Sequence, residues 1–136
     1  MDTKEIVALA KLPLTDAGNG ERLQRMLGDC WRYVPEYQCW LQWTEKGWKV
    51  RNVAVLLWAI AEAFRELRQE FDHLPCLAYE FGDEKTVCRI RQWLLRIENI
   101  NRLRSAIRIF KELVAAELVC EPVAEKSCET KGRNGK

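Results

Sequence analysis

Between Val53 and Phe71, apolar residues recur as Val53, Leu57, Ile60, Phe64, Leu67 and Phe71, while Glu62, Arg65, Glu66, Arg68, Gln69 and Glu70 fill the positions between them. Spacings of three and four put one set of side chains on a single stripe, so residues 52 to 71 predict an amphipathic helix of about five turns. The same period returns with Val87, Ile90, Trp93, Leu94 and Ile97, and again with Ile100, Leu103, Ile107, Phe110 and Val114 behind Asn99, a residue suited to capping. A short connection between these two segments predicts antiparallel neighbours. Near the start, residues 2 to 11 predict a short helix ended by Pro13, because the residue before a proline is pushed out of helical geometry. A further helix carries Leu23, Met26 and Leu27 on one side, with Thr15 or Asp16 as its cap and Gly28 as its stop. Gly18 and Gly20 near its start either lie outside it or allow another backbone close approach.

The pattern changes from Arg32 to Val50, RYVPEYQCWLQWTEKGWKV. Aromatic and β-branched runs alternate there with Pro-Glu-Tyr-Gln and Thr-Glu-Lys-Gly, which reads as a three-stranded antiparallel meander. Alternation sends Cys39, Leu41 and Trp43 to one face and Trp40 and Gln42 to the other. Of the tryptophans, Trp43 and Trp48 are expected to be buried, and Trp40 or Trp31 to be exposed. Residues 72 to 82 hold His73, Pro75 and Gly82 and read as a loop. The expected fold is α+β and mostly α: a small meander packed on a bundle of about four helices. Residues 1–13 form an N-terminal extension or short helix, residues 14–119 the folded domain, and residues 120–136 a disordered polar tail.

Composition narrows the classes without choosing among them. The 136 residues suit one core, with 48% hydrophobic and 31% charged residues. A net charge of +2 does not by itself point to nucleic acid. Neither a signal-like opening nor an apolar run of bilayer length occurs, so the expectation is a cytoplasmic chain with no membrane partner. The six cysteines include no C-x-x-C pair, and His73, Cys76, Cys88 and Cys39 lack the repeated short spacing of structural zinc sites. Reduced thiols are expected, with neither metal nor cofactor. No nucleophile-histidine pair or paired-carboxylate motif suggests catalysis, so the chain is not expected to be an enzyme.

Two elements together resemble a known family. Leu14-Thr15-Asp16-Ala17-Gly18-Asn19-Gly20-Glu21-Arg22 precedes Arg32-Tyr33-Val34-Pro35-Glu36, then Trp40, Trp43 and Gly47-Trp48. Their order and spacing resemble the start of the helical domain preceding the superfamily 3 helicase in phage, plasmid and poxvirus-type primase-helicases. The family usually has alanine where Gly20 stands and tryptophan where Tyr37 stands. The resemblance covers roughly residues 14 to 118 and includes neither the primase nor the helicase unit of those proteins. It implies a non-catalytic module of phage or mobile-element DNA replication that helps to assemble or position a helicase. A superfamily 3 helicase or primase is the implied partner, with formation of a homo-oligomer a further implication. Thr15, Asp16, Gly18, Asn19, Arg22, Arg32, Tyr33, Val34, Pro35, Trp40, Trp43 and Trp48 are then signature residues that build the fold. The closing Gly132-Arg-Asn-Gly-Lys136 is similar to the end of a phosphate loop, but it lacks the strand, helix and magnesium-holding hydroxyl that hydrolysis needs.

Charge supplies the competing class. Lys85, Arg89, Arg91, Arg96, Arg102, Arg104, Arg108 and Lys111 face Glu98 as the one acid between residues 85 and 111. Those arginines, with Trp40 as a stacking ring, form a candidate surface for single-stranded DNA or for protein. A solvated helix exterior accounts for the same charges. The alternative function is thus a free-standing single-stranded DNA-binding protein, or a regulator that docks on a related helicase.

Overall fold

The computed structural model describes residues 1–75 and 77–120. In chain order the elements are α1 (Thr3–Lys11), α2 (Asp16–Leu27), β1 (Trp31–Val34), β2 (Cys39–Thr44), β3 (Gly47–Arg51), α3 (Val53–Asp72), α4 (Leu77–Phe81), α5 (Glu84–Arg96) and α6 (Ile100–Cys120). The fold is α+β and mostly α.

Helix starts follow from short polar side chains that satisfy backbone N–H groups the helix itself leaves unpaired. Asp2 accepts from the Glu5 N–H at 2.8 Å, and the Glu5 carboxylate accepts from the Asp2 N–H, a reciprocal pair at the start of α1. Thr15 caps α2 through the Gly18 N–H at 3.0 Å, and Asn52 caps α3 through the Val55 N–H at 3.0 Å. Asn99 accepts from the Asn101 N–H at 2.8 Å at the start of α6.

The sheet order is β1-β2-β3, antiparallel throughout, with Tyr33 opposite Trp40 and Trp43 opposite Trp48. Both expected turns are present: Gln38 closes the first in the left-handed region, and Gly47, at φ 101°, closes the second. Cross-strand neighbours share a face, so Trp31, Tyr33 and Trp40 point together toward α6, where Trp40 stacks on Phe110 with ring centroids 5.6 Å apart. The core continues through Leu56, Ile60, Phe64, Leu67 and Phe71 of α3 and Leu94 of α5.

Three expectations change. The buried stripe of α3 begins at Leu56, whereas Val53 is 49% exposed. This helix opens with apolar residues at every position, so several phases fit the sequence and packing selects one. Residues 72 to 82, expected as a loop, contain the short α4. The chief neighbours of α6 are α2 and β1, while α5 packs on α3 and α4, so the two helices are not laid side by side as their short connection predicts. The wide apolar face of α6, from Leu103 and Ala106 to Phe110 and Val114, is covered by α2 and the sheet instead. Of the tail expected over residues 120–136, Cys120 belongs to α6, and residues 121–136 lie outside the described residues.

Candidate functional site

The signature residues near α2 converge on one buried group. Arg22 is fully buried, and its guanidinium donates to the carbonyls of Leu9 at 2.9 Å, Leu12 at 2.6 Å and Pro13 at 2.8 Å, and to Asn19 Oδ1 at 3.0 Å. Burial lowers its pKa to about 10, against the opposing charge of Glu21. It therefore remains a cation at neutral pH and ties the end of α1 and the linker to α2. Asn19 Oδ1 also accepts from Trp93 Nε1 at 3.1 Å, and Arg102 lies over the Trp93 ring at 5.0 Å while donating to Asp16 at 3.0 Å. Asp16, Asn19, Arg22, Trp93 and Arg102 thus form one network joining α2, α5 and α6. The glycines make room for it: a Cβ at Gly18 would overlap the Pro13 carbonyl, and one at Gly20 would overlap Ile109 of α6. The close neighbour is backbone at Gly18 and the side chain of Ile109 at Gly20.

Arg32 is the other buried cation of the signature. It donates to the carbonyls of Gly28 and Trp31 and lies 5.6 Å from the centroid of the Trp48 ring. Val34 ends β1 and Pro35 enters the first turn, as the sequence pattern predicts.

Expected exposure of the tryptophans is reversed. Trp31 and Trp40 are 1% and 3% exposed, whereas Trp43 and Trp48 are half-buried and meet edge to face at 5.4 Å. Trp40 is enclosed because its face meets α6, leaving no open ring face for a base. The opposite face, carrying Val34, Leu41, Trp43, Trp48 and Val50, is the incompletely covered one, with Val50 68% exposed. Sequence alternation identifies the two sets of side chains, but which set is covered depends on where α6 packs.

The six candidate arginines are all exposed but do not form one surface. Arg96 and Arg102 line the same open groove with Leu95, Asn99, Asn101 and Ser105, a volume of about 660 Å³. Arg104 and Arg108 are four residues apart on α6, whereas Arg102 is about 160° around that helix from Arg104. Arg91 pairs with Asp72 at 3.1 Å. Arg89 lies near Asp83, whose carboxyl is held below its ordinary value by the Thr86 backbone N–H, then the Thr86 side chain, with a smaller contribution from Arg89. Among the described residues, Arg96, Arg104 and Arg108 make no ion pair.

Two ties carry no marker in the sequence. Glu98, the one acid among the basic residues 85 to 111, pairs with Arg65 at 3.3 Å and with Arg68, fastening the α5–α6 corner to α3. Trp93 belongs by its spacing to an apolar stripe, yet its indole N–H is the link to Asn19. Among the described residues no group of three histidine, cysteine or acidic side chains could hold a metal, and no helix is long and apolar enough to cross a membrane. Compared with protein-family models, curated proteins and solved structures, the chain finds no match.

Proposed function

We propose that this chain is a non-catalytic module of a phage or mobile-element primase-helicase system, and that it assembles or positions the helicase by protein contact. The observation carrying the proposal is the outward face of the sheet, where Trp43 and Trp48 form a half-buried aromatic pair beside Leu41 and the exposed Val50. Tryptophans beside aliphatic neighbours are the anchors of protein interfaces, since their rings lose large apolar area to a partner at little entropic cost. The burial of Trp40 and the divergence of the arginines weigh against a stacking platform for bases. The resemblance of the two sequence elements to the primase-helicase domain supplies the partner class, a superfamily 3 helicase.

The test is capture of a purified superfamily 3 helicase encoded beside this chain, by the immobilised full-length protein. Val50 is largely exposed, so Val50→Glu should leave the circular dichroism spectrum unchanged while weakening capture about ten-fold or more by placing a charge inside the contact. Absence of capture by the unaltered protein would remove the proposal.

One observation favours a second reading, contact with single-stranded DNA: Arg96 and Arg102 open on the same groove. Only these two arginines line it, so log K for a labelled oligothymidylate should fall with log salt at a slope of about −1.4, the value for two phosphates on a single strand. Arg96→Glu should abolish that binding. A steep slope, or binding unchanged by the substitution, would place any DNA elsewhere.

A further inference from the structure

One edge of the sheet is free. The Trp43 N–H of β2 donates to the Cys30 carbonyl at 2.8 Å, so the backbone of Trp43 turns toward β1 and away from β3. Its cross-strand partner Trp48 therefore exchanges no backbone hydrogen bond with it, and the Trp48 N–H and C=O turn away from β2. Backbone direction alternates along a strand, so Val50 repeats this two residues on, whereas Lys49 between them bonds inward to Gln42. β3 is the last strand of the sheet, and among the described residues neither Trp48 nor Val50 has a backbone hydrogen-bond partner on that side. The strand contains no proline and its register no bulge, two of the devices that close an edge to a further strand.

We infer that β3 takes up, as a fourth antiparallel strand, an extended segment of a partner in which an acidic residue stands between two apolar ones. The backbone of the edge makes the occupant a strand, because residues set opposite Trp48 and Val50 each exchange both hydrogen bonds with them. The side chains select its sequence. Trp48 and Val50 lie on the sheet face that carries Trp43 and Leu41, so apolar residues opposite them lengthen that apolar row. Lys49 lies on the other face, exposed and with no ion-pair partner among the described residues. Arg51, on the same face as Lys49, donates at 3.0 Å to the neutral amide of Gln42, so no acid answers the lysine from within the sheet. An acid opposite Lys49 supplies that charge. The same lysine disfavours a second copy of this chain: two β3 edges paired about a two-fold axis match Trp48 with Val50 twice but set Lys49 against Lys49, and like charges directly opposite are unfavourable. The inference deepens the helicase reading and rests on it for the owner of the strand.

Two arms test this on the full-length protein. In the first, the probe is the acetylated and amidated peptide Ser-Thr-Val-Glu-Val-Thr-Ser, followed by nuclear magnetic resonance and expected to bind with a Kd of about 1 mM or below. With the probe in excess, amide exchange should slow at Trp48 and Val50 and stay unchanged at Lys49, whose N–H is already bonded to Gln42. Lys49→Glu, a change at an exposed side chain, should leave the circular dichroism spectrum unaltered, weaken this peptide about three-fold or more and strengthen its Val-Lys-Val analogue by a like factor. In the second arm, Lys49→Glu should also weaken capture of the helicase, although its side chain lies on the sheet face opposite Trp43 and Trp48. Absence of peptide binding, protection gained equally at Trp48, Lys49 and Val50, or a peptide affinity indifferent to Lys49→Glu would each overturn the inference. Protection of Trp48 and Val50 that rises with protein concentration alone would assign the edge to a second copy and overturn it too. Capture weakened by Val50→Glu but not by Lys49→Glu would overturn it while leaving the helicase proposal intact. Peptide pairing without helicase capture would do the reverse.

Discussion

Gly20 shows how one absent methyl group determines the approach of two helices. The family that the sequence resembles usually has alanine there, yet a Cβ on this backbone would occupy the place of the Ile109 side chain. The glycine and the branched isoleucine therefore form a size pair across α2 and α6. Gly20→Ala should lower stability by about 1–3 kcal/mol, because overlap outweighs the roughly 1 kcal/mol that alanine gains in a helix. Ile109→Gly removes both the Cγ2 and the Cβ that the new methyl would meet, so the double variant should be more stable than the sum of the two losses predicts, with a coupling of about 1 kcal/mol. Urea denaturation of the two single variants and the double variant measures this, and strict additivity would refute it. The sequence signals that Gly18 and Gly20 are unusual in a helix, but Pro13 and Ile109 are identified only by the packing. Trp40 illustrates the same limit: strand alternation separates it from Trp43, while the position of Phe110 decides which ring is covered.

At the scale of elements, capping was the most legible feature, because it depends on residues within a few positions of one another. Asn99 and either Thr15 or Asp16 stand out in the sequence as caps, and Asn99 and Thr15 act as such. Asp83 performs the same task for α5, accepting from the Thr86 N–H at 2.8 Å, and that hydrogen bond is the main cause of its lowered pKa. A carboxyl depressed in the folded state favours folding at pH above its ordinary value of 3.8, and this contribution disappears as pH falls through the lower folded value. Asp83→Ala should therefore melt below the unaltered protein at neutral pH, and the gap between the two melting temperatures should narrow as the solution is acidified below 3.8. A gap that persists in acid would show that Asp83 acts by something other than its ionised cap. The meander was legible for a similar reason, since its turns lie beside its strands. The phase of α3 was not: with apolar residues throughout Val53 to Ala61, the choice of Leu56 over Leu57 is made by distant partners.

The whole molecule depends on ties between segments far apart in sequence, and these were the least legible. Its α5–α6 corner is held from two sides, by Trp93 reaching Asn19 of α2 and by Glu98 reaching Arg65 and Arg68 of α3. Without Glu98, two arginines separated by less than a helical turn would face each other with no counter-charge, and the corner would lose its fastening to α3. Arg65 is 43% exposed at its side chain, so solvent screens its share and most of the stabilisation should come from the more enclosed Arg68, at 22%. Glu98→Ala should then cost about 1.5–2 kcal/mol, the lower part of the range for hydrogen bonds to charged groups. The loss should be local in its dynamics. Backbone amides from Ile97 to Leu103 should exchange with deuterium faster, whereas those of β1 and β2, held by the stacking of Trp40 on Phe110, should keep their protection. Equal acceleration in the corner and the sheet would mean that Glu98 acts through global stability alone, and the two-sided fastening would have to be abandoned.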